Sequence, residues 1–592
     1  MPSVFGGLGP ACSSRVVRSG TEMGSRTAGR WSGPRRDSIL SVHQDTPQPD
    51  HFRVQDPCPS PASDRAQGFR LSRSSILVLA LLWLTVFGIY RATERPLKIV
   101  DVAAVIRLPL SLLNDGDLYL DEFRAAVPAK VVVEHRGHLV SRFPWWPAVQ
   151  LLPAFLFGDT GDSQAGDELV WKTQRRAARA WMALTVVLIA VAVLRLYEPR
   201  TAAMMALAFG FGSINWFVLS QLSFSNGLVE FFLAVAMLAL ASERPPTRLA
   251  ASLSLGCAVV AVFYRLNLIP VAAVLALYVL ARLKRSALIP VVTGLAVAAV
   301  MAGANHWYLG HPLGMYGIEA GKLQLPAPHL LLALQGNLIS PGRGLLVFSP
   351  WVLLAVVGVV RGRSELRLLH GLLLLGCVGH LLLTSNHYDW VGGGSMGPRL
   401  TADVLPLWTM LAAAGAARLT SRRITAWIPL VLVAVSVLIS AGHVFSDSYR
   451  WNRRPVPATQ ARDRIFDWRD ALVLDPFRRT PYESRYPIRL DRPEHGLSSD
   501  GDQMSFLWQD DARPEVRYQV EILFRYLPRG RRVGQLLIDV SAPGRLEVNG
   551  ASLPKPLDRS KPLAWRVIAL DSEGRTQATS GWRQLLWEAA GR

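Results

Sequence analysis

Cysteine is nearly absent: four occur in 592 residues. Cys12 and Cys58 lie in a Ser/Pro/Arg-rich stretch, and Cys257 and Cys377 sit inside apolar runs. Neither a disulfide framework nor a zinc-ligand spacing can be built from them. A basic face interleaved with aromatics is also missing. The formal charge of +20 is spread over the N-terminal stretch, the C-terminal region and the short loops between apolar runs, which argues against nucleic acid as a partner. No internal repeat is visible, and charge is scarce wherever the chain is apolar.

What is present is hydrophobicity in long blocks. Half of the residues are hydrophobic and the mean hydropathy is +0.23, a pattern that reads as membrane spans rather than soluble domains. Eleven spans are expected, at about Ser75–Tyr90, Ala180–Leu196, Ala202–Leu219, Gly227–Ala241, Ala250–Tyr264, Leu268–Leu283, Leu288–His306, Leu345–Val360, Leu366–Leu383, Ala402–Ala417 and Ile424–His443. Several are nearer 16 residues than 20. Residues 1–73 have turn-forming, non-periodic composition and are expected to be a disordered tail. Its Arg/Ser-rich, acid-poor beginning looks like an organellar transit peptide, and Met23 is an alternative start.

Cations sort the loops. With a cytoplasmic N-terminus, one set of loops holds Arg195/Arg200, Arg244/Arg248, Arg282/Lys284/Arg285, Arg361/Arg363/Arg367 and Arg418/Arg422/Arg423. The opposite set holds only Arg265, Lys322, Arg343 and Arg399 in its short loops. Two long segments then lie outside: the first external loop, 91–179, and the C-terminal region, 447–592, leaving 74–446 as the transmembrane domain. Alternating stretches such as VRYQVEILFRYL and GQLLIDVSAPGRLEVNG, with a turn at Asn549-Gly550, predict a small β-rich domain in that C-terminal region. The expected fold is thus an α-helical polytopic membrane protein with a C-terminal β-rich extracytoplasmic domain.

The candidate chemistry sits in the outer loops. The first carries Asp101, Asn114-Asp115-Gly116-Asp117 and Asp121-Glu122, then Gly137 through Ser141-Arg142-Phe143-Pro144. A Trp-rich piece, Trp145–Phe157, is too short and Pro-interrupted to span and reads as an interfacial helix. Further motifs are His306–Gly314, Ser340-Pro341-Gly342-Arg343-Gly344 and Asn386–Arg399, the last containing His387, Tyr388, Asp389 and Trp390. Arg suits phosphate and Gly permits close backbone approach. The histidine spacings fit no standard metal pattern, so no metal ligand is assigned. Glu230 falls mid-span, where an ionisable group needs a partner or a cavity. Either a structural pairing or a substrate contact is expected, with the pairing preferred.

Taken together, these residues resemble the polytopic GT-C glycosyltransferases, nearest to protein O-mannosyltransferases and the aminoarabinose transferases that modify lipid A. The resemblance runs over roughly 75–443. It rests on the order Asp101…Arg107, Gly116-Asp117, Gly137…Arg142-Phe143-Pro144, Ser225-Asn226-Gly227-Leu228, Tyr264-Arg265-Leu266-Asn267, Ser340–Gly344 and Asp389–Arg399. Asp121-Glu122 comes some thirty residues after the first span, later than the family's acidic pair, and Arg142-Phe143-Pro144 stands where the family has a Lys-Pro-Pro-like element. The resemblance implies a GT-C-type transferase that moves a sugar, with inversion, from a polyprenyl-phosphate donor to a protein, lipid or glycan acceptor at the outer face. Asp101 is the preferred catalytic carboxylate, with Asp121 and Glu122 as alternatives. Arg142, Arg265, Arg343 and Arg399 are expected to hold the donor phosphate, and Asp117, His387, Tyr388, Asp389 and Trp390 to contact substrate. No cofactor is expected, with metal dependence open. The rival reading is a lipid or sugar transporter or flippase. A bacterial inner membrane is the favoured location.

Overall fold

The computed structural model describes residues 73–157, 167–318, 327–387, 389–394, 396–452, 457–478, 482, 486, 488–492, 503–510, 516–525, 533–540, 544–549 and 563–585. The expected tail, Tyr388 and the Gly550 half of the predicted turn lie outside them.

Every expected span contains helix. The helices are α1 (Arg73–Ala92), α2 (Leu108–Asn114), α3 (Trp146–Leu156), α4 (Asp167–Leu196), α5 (Pro199–Phe211), α6 (Ser225–Leu240), α7 (Arg248–Tyr264), α8 (Ile269–Leu283) and α9 (Leu288–Leu309). They continue as α10 (Met315–Ile318), α11 (Ala327–Ile339), α12 (Leu345–Phe348), α13 (Leu354–Arg361), α14 (Arg367–Ser385), α15 (Leu405–Thr420) and α16 (Trp427–Phe445). Among the described residues six helical stretches are long and apolar enough to cross a membrane, with α8 and α9 counted as one 44-residue stretch; α3, α6, α7 and parts of 327–361 form shorter apolar helices. The chain is a multi-pass membrane protein.

Three departures have local causes. The expected span 202–219 is interrupted: α5 ends at Phe211, Gly212 and Ser213 bend, and a π-helical turn, Asn215–Leu219, follows. The expected span 345–360 is broken. Ser349 adopts φ −133°, ψ 66° ahead of Pro350, which has no N–H to continue the ladder, so α12 gives way to a 3₁₀ turn before α13. And α11 lies in what reads as a loop, because its 13 residues include Gln335 and Asn337 and fall short of a span.

Helix packing is close where residues are small. A Cβ on Gly358 of α13 would lie 2.0 Å from the Leu411 carbonyl of α15, and one on Gly415 2.0 Å from the Leu354 carbonyl. These two backbones touch, the kind of approach that drives association in lipid. Mid-bundle, Glu230 is fully buried and accepts a hydrogen bond from Asn215 Nδ2 at 2.9 Å, a structural pairing.

The loops segregate as their charges require. On one face Arg363 pairs with Glu243 and packs on Tyr197, and Arg282 donates to the Glu243 carbonyl. On the other, Arg95 donates to the His443 carbonyl at 2.9 Å and pairs with Asp447 after α16, Asp101 meets Arg399 ahead of α15, and Arg343 ahead of α12 donates to Asn452 after α16. This second surface is called the loop face below. There α3 is pinned rather than merely laid on the interface. Trp145 and Trp146 stack at 3.8 Å and both donate to Asn305 Oδ1, at 3.0 and 3.1 Å. Its apolar end stays uncovered, with Phe157 91% exposed.

The C-terminal region is a β-sandwich. A three-stranded sheet orders β3 (Ile488–Arg492), β4 (Gln503–Asp510) and β7 (Arg545–Asn549). A five-stranded sheet runs β10 (Arg583–Leu585), β8 (Leu563–Leu570), β5 (Arg517–Arg525), β6 (Val533–Val540), with β9 (Thr576–Thr579) on β8. Their inner faces meet in one core in which Phe506 and Trp565 pack edge to face at 4.8 Å. A further hairpin, β1 (Val132–His135) and β2 (His138–Ser141), stands in the 91–166 loop.

Candidate active site

The site begins at the end of α1. The chain leaves the helix at Ala92 and turns through a 3₁₀ segment, Val100–Val102, that anchors Val102 in the core and leaves Asp101 partly open, its side chain 31% exposed. Asp101 Oδ2 receives Arg399 Nη1 at 3.0 Å across 298 residues of sequence. Arg399 precedes α15 in the 3₁₀ segment Arg399–Val404. Its Nη2 donates to the Gly392 carbonyl at 3.0 Å, its guanidinium lies 4.6 Å from the Phe224 ring centre, and its buried Nε has no hydrogen-bond partner among the described residues. Gly392 and Gly393 take φ of 78° and 63°, which lets the 389–394 loop curl so that its carbonyl meets this guanidinium. Asp389 receives the Gly393 N–H, and its pKa is raised by burial against the opposing pull of Arg399.

Beneath this pair lies a fully buried carboxylate, Asp403. Its Oδ2 accepts from Arg265 Nε at 2.8 Å and Asn267 Nδ2 at 3.1 Å and meets His380 Nε2 at 3.0 Å; Oδ1 accepts from Asn226 Nδ2 at 2.8 Å. Asn226 Nδ2 also reaches the Arg399 carbonyl at 3.0 Å. Asp403 therefore fixes Arg265 and, through Asn226, the backbone of Arg399. A buried ion is tolerable only with this degree of hydrogen bonding.

Arg343 is held from a third side. It is buried, donates to the Val391 and Gly342 carbonyls at 2.9 and 3.0 Å and to Asn452 Oδ1 at 2.6 Å, and packs on Trp451. Burial, and then Arg399, push its pKa down. Its hydrogen bonds brace the 389–392 loop. Trp390, buried, fills the space over Gly336, where a Cβ would come within 2.2 Å of the ring. His387 Nδ1 accepts from the Asp389 N–H at 3.1 Å.

The remaining sequence candidates form another group, around the β1–β2 hairpin. Asp121 binds His138 Nδ1 at 2.8 Å and the Leu139 N–H at 2.9 Å and pairs with Arg124. Against its partial burial, these partners hold its carboxyl below the usual range. Glu122 is pushed up by burial and by Asp115 and Asp117. Asp117 Oδ1 accepts from Ser111 Oγ and the Tyr119 N–H, both at 2.9 Å. Arg142 Nη1 donates to the Lys130 carbonyl at 3.1 Å.

The structure thus gathers Asp101, Arg265, Arg343, Asp389, Trp390 and Arg399 around one polar centre on the loop face, and sets Asp117, Asp121, Glu122 and Arg142 in the hairpin layer. Asp403, His380, Asn267 and Asn226 were missed by sequence reasoning. Asn226 and Asn267 belong to quoted motifs, but Asp403 and His380 sit inside apolar segments and show their role only through partners far away in sequence. Among the described residues no group of three or more His, Cys, Asp or Glu side chains could hold a metal ion.

Fold and centre together define a class, a multi-pass membrane protein with one polar centre at the ends of its spans. No protein-family model matches the chain, and no curated protein matches it. Among solved structures it is similar to ArnT from Cupriavidus metallidurans bound to undecaprenyl phosphate, at 12% identity over 66% of this chain and 68% of that one, with a TM-score of 0.42. The apo state of the same protein gives 12% identity, 64% of each chain and a TM-score of 0.41.

Proposed function

We propose that this chain is an inverting membrane glycosyltransferase of GT-C type, moving a sugar from a polyprenyl-phosphate donor to an acceptor hydroxyl or amide at the loop face. On this reading the loop face is extracytoplasmic, the Arg-rich face with Arg282 and Arg363 is cytoplasmic, and the membrane is a bacterial inner membrane. The observation that carries the proposal is the Asp101–Arg399 pair: a partly exposed carboxylate beside a guanidinium with a spare buried donor, at the end of the spans.

The chemistry follows from charge. The donor phosphate competes with Asp101 for Arg399 and accepts from Nη1 in the carboxylate's place. The released carboxylate then takes the acceptor proton, the acceptor oxygen or nitrogen bonds to the anomeric carbon, and the bond from that carbon to the phosphate oxygen breaks. The polyprenyl phosphate leaves with its new charge against Arg399, and with Arg265 and Arg343 fixed behind it. Asp389, with His387 beside it and Trp390 packed behind it over Gly336, forms the wall nearest the sugar. No step requires a metal.

The test is the full-length protein in detergent with polyprenyl-phosphate sugars and a panel of acceptors, following release of polyprenyl phosphate. Wild type turns over, and Asp101→Asn loses at least ~100-fold, the scale of a general base, while its melting temperature holds. Full turnover in Asp101→Asn sinks the assignment of the base. If Asp121→Asn alone loses activity, the base belongs to the hairpin layer. Movement of an intact lipid-linked sugar across proteoliposomes without bond cleavage would make the chain a flippase.

A further inference from the structure

A second cluster of guanidinium groups, which shares no carboxylate with this centre, lies where α1 and α4 meet the loop face. Arg175 and Arg179, one turn apart on α4, are 4% and 0% exposed and share one carboxylate, Glu94. Arg175 Nε and Arg179 Nη1 each donate to it at 3.0 Å, and Arg91 pairs with it too. Arg175 Nη2 also reaches Glu168 at 3.0 Å, and Arg179 Nε donates to the Arg175 carbonyl at 2.8 Å. This leaves Arg175 Nη1 and Arg179 Nη2 buried without a hydrogen-bond partner among the described residues. Lys98 pairs with Glu168 and Asp167, and Arg107 with Asp167, so five cations (Arg91, Lys98, Arg107, Arg175 and Arg179) face three carboxylates (Glu94, Asp167 and Glu168) and the network carries net positive charge. Buried guanidinium donors of this kind are costly unless an anion meets them.

Depth points to what that anion is. Directly after Arg179, α4 runs into the apolar stretch from Trp181 to Val193, and Trp83 of α1 donates to the Ala180 carbonyl at 3.2 Å. Ala180 lies level with the middle of α1, but the Arg175 and Arg179 side chains reach up to Glu94, two residues past the end of α1, so their charged ends sit at the headgroup end of that span, beside the exposed Arg91.

We propose that Arg175 and Arg179 bind the phosphate of a lipid headgroup in the leaflet at the loop face, at a site separate from the Asp101–Arg399 centre. Arg175 Nη1 and Arg179 Nη2 each donate one charge-assisted hydrogen bond to the phosphate oxygens. Glu94 is the competing anion, and Arg91 keeps it paired when the lipid enters. The site stands whether or not the chain is a glycosyltransferase.

The test uses full-length protein stripped of lipid in non-ionic detergent, probed with phosphatidylglycerol, with diacylglycerol bearing the same acyl chains, and with inorganic phosphate. Phosphatidylglycerol binds and raises the melting temperature by mass action, whereas diacylglycerol does neither. The double variant Arg175→Gln/Arg179→Gln binds it about tenfold more weakly or worse, the loss of a charge-assisted pair. Should that variant fail to fold, Glu94→Gln decides: with the competitor removed, phosphatidylglycerol binds at least about threefold more tightly. Weaker or unchanged binding in Glu94→Gln overturns the proposal. So does an equal response to diacylglycerol, or to inorganic phosphate at matched concentration, the latter marking a soluble-anion site. Arg399→Gln binds phosphatidylglycerol as wild type does; loss there, with Arg175→Gln/Arg179→Gln unaffected, would place the lipid at the central site instead.

Discussion

The two acidic groups of the loop face look alike in sequence and are built in opposite ways. Asp117, Asp121 and Glu122 find their partners within about twenty positions, in Ser111, Tyr119, Arg124, His138 and Leu139. Asp101 finds its partner 298 positions away, on a segment gripped in turn by Asn226, Arg343 and Asp403. Local contacts make a stable hairpin layer. Long-range convergence of charged groups at the ends of several spans costs desolvation at each of them and persists only with dense hydrogen bonding. That difference is the physical reason to place the chemistry at Asp101 rather than at the more acidic hairpin.

The comparison breaks most readily at Arg399. Arg399→Gln should lower transfer by roughly 100- to 1,000-fold, the range for removing one preorganised charge-stabilising donor, whereas Arg124→Gln in the hairpin layer should leave it within about twofold, as befits an exposed ion pair. Equal effects would erase the distinction. Next in size is Asp403→Ala, which strands the guanidinium of Arg265. It should destabilise by about 3–5 kcal/mol, read as a fall in the denaturant midpoint, while Asp403→Asn, keeping the hydrogen-bonding shape, should recover part of the loss. A surface site would show neither.

The smallest expected effect is in the hairpin and depends on pH. The Asp121 carboxyl is held below its ordinary value, its partial burial outweighed by His138 and the Leu139 N–H. Its contribution is therefore complete above the ordinary carboxylate pKa of about 3.9 and fades as pH falls through the lower folded value. Protection of the amides in the 132–141 hairpin, relative to their intrinsic exchange at each pH, should fall below that range in wild type and stay constant across it in Asp121→Asn. Transfer by Asp121→Asn near neutral pH should match wild type within about twofold.

Much of this architecture was legible. Apolar blocks foretold helix in each of eleven segments, although 202–219 and 345–360 are interrupted, and the cations grouped the loops at 195–200, 242–248, 282–287 and 361–367 that meet through Glu243 and Tyr197. The alternating stretches after residue 500 foretold the strands. Where the reading fell short, the cause was a property that periodicity does not carry. The break at Ser349-Pro350 is a backbone event inside an apolar run, and α11 is too short and polar to register as a span. At the site, the Gly/Arg motifs nominated Arg265, Arg343 and Arg399 by residue type. Composition could not reveal that Arg343 spends its donors on carbonyls and Asn452 while Arg399 keeps one in reserve. Asp403 and His380 were hidden for a related reason: a polar residue in an apolar helix declares its purpose only when its partner on another helix is known.

The account turns on Asp101 and Arg399 acting as one unit. Initial rates of sugar transfer for wild type, Asp101→Glu, Arg399→Lys and the double variant measure this directly. Each single change keeps the charge but spoils the geometry and should slow transfer by about 10- to 100-fold, with the double variant little slower than the worse single, a large coupling between contacting groups. If the two losses multiply instead, the carboxylate and the guanidinium work independently, and the centre described above is not the active site.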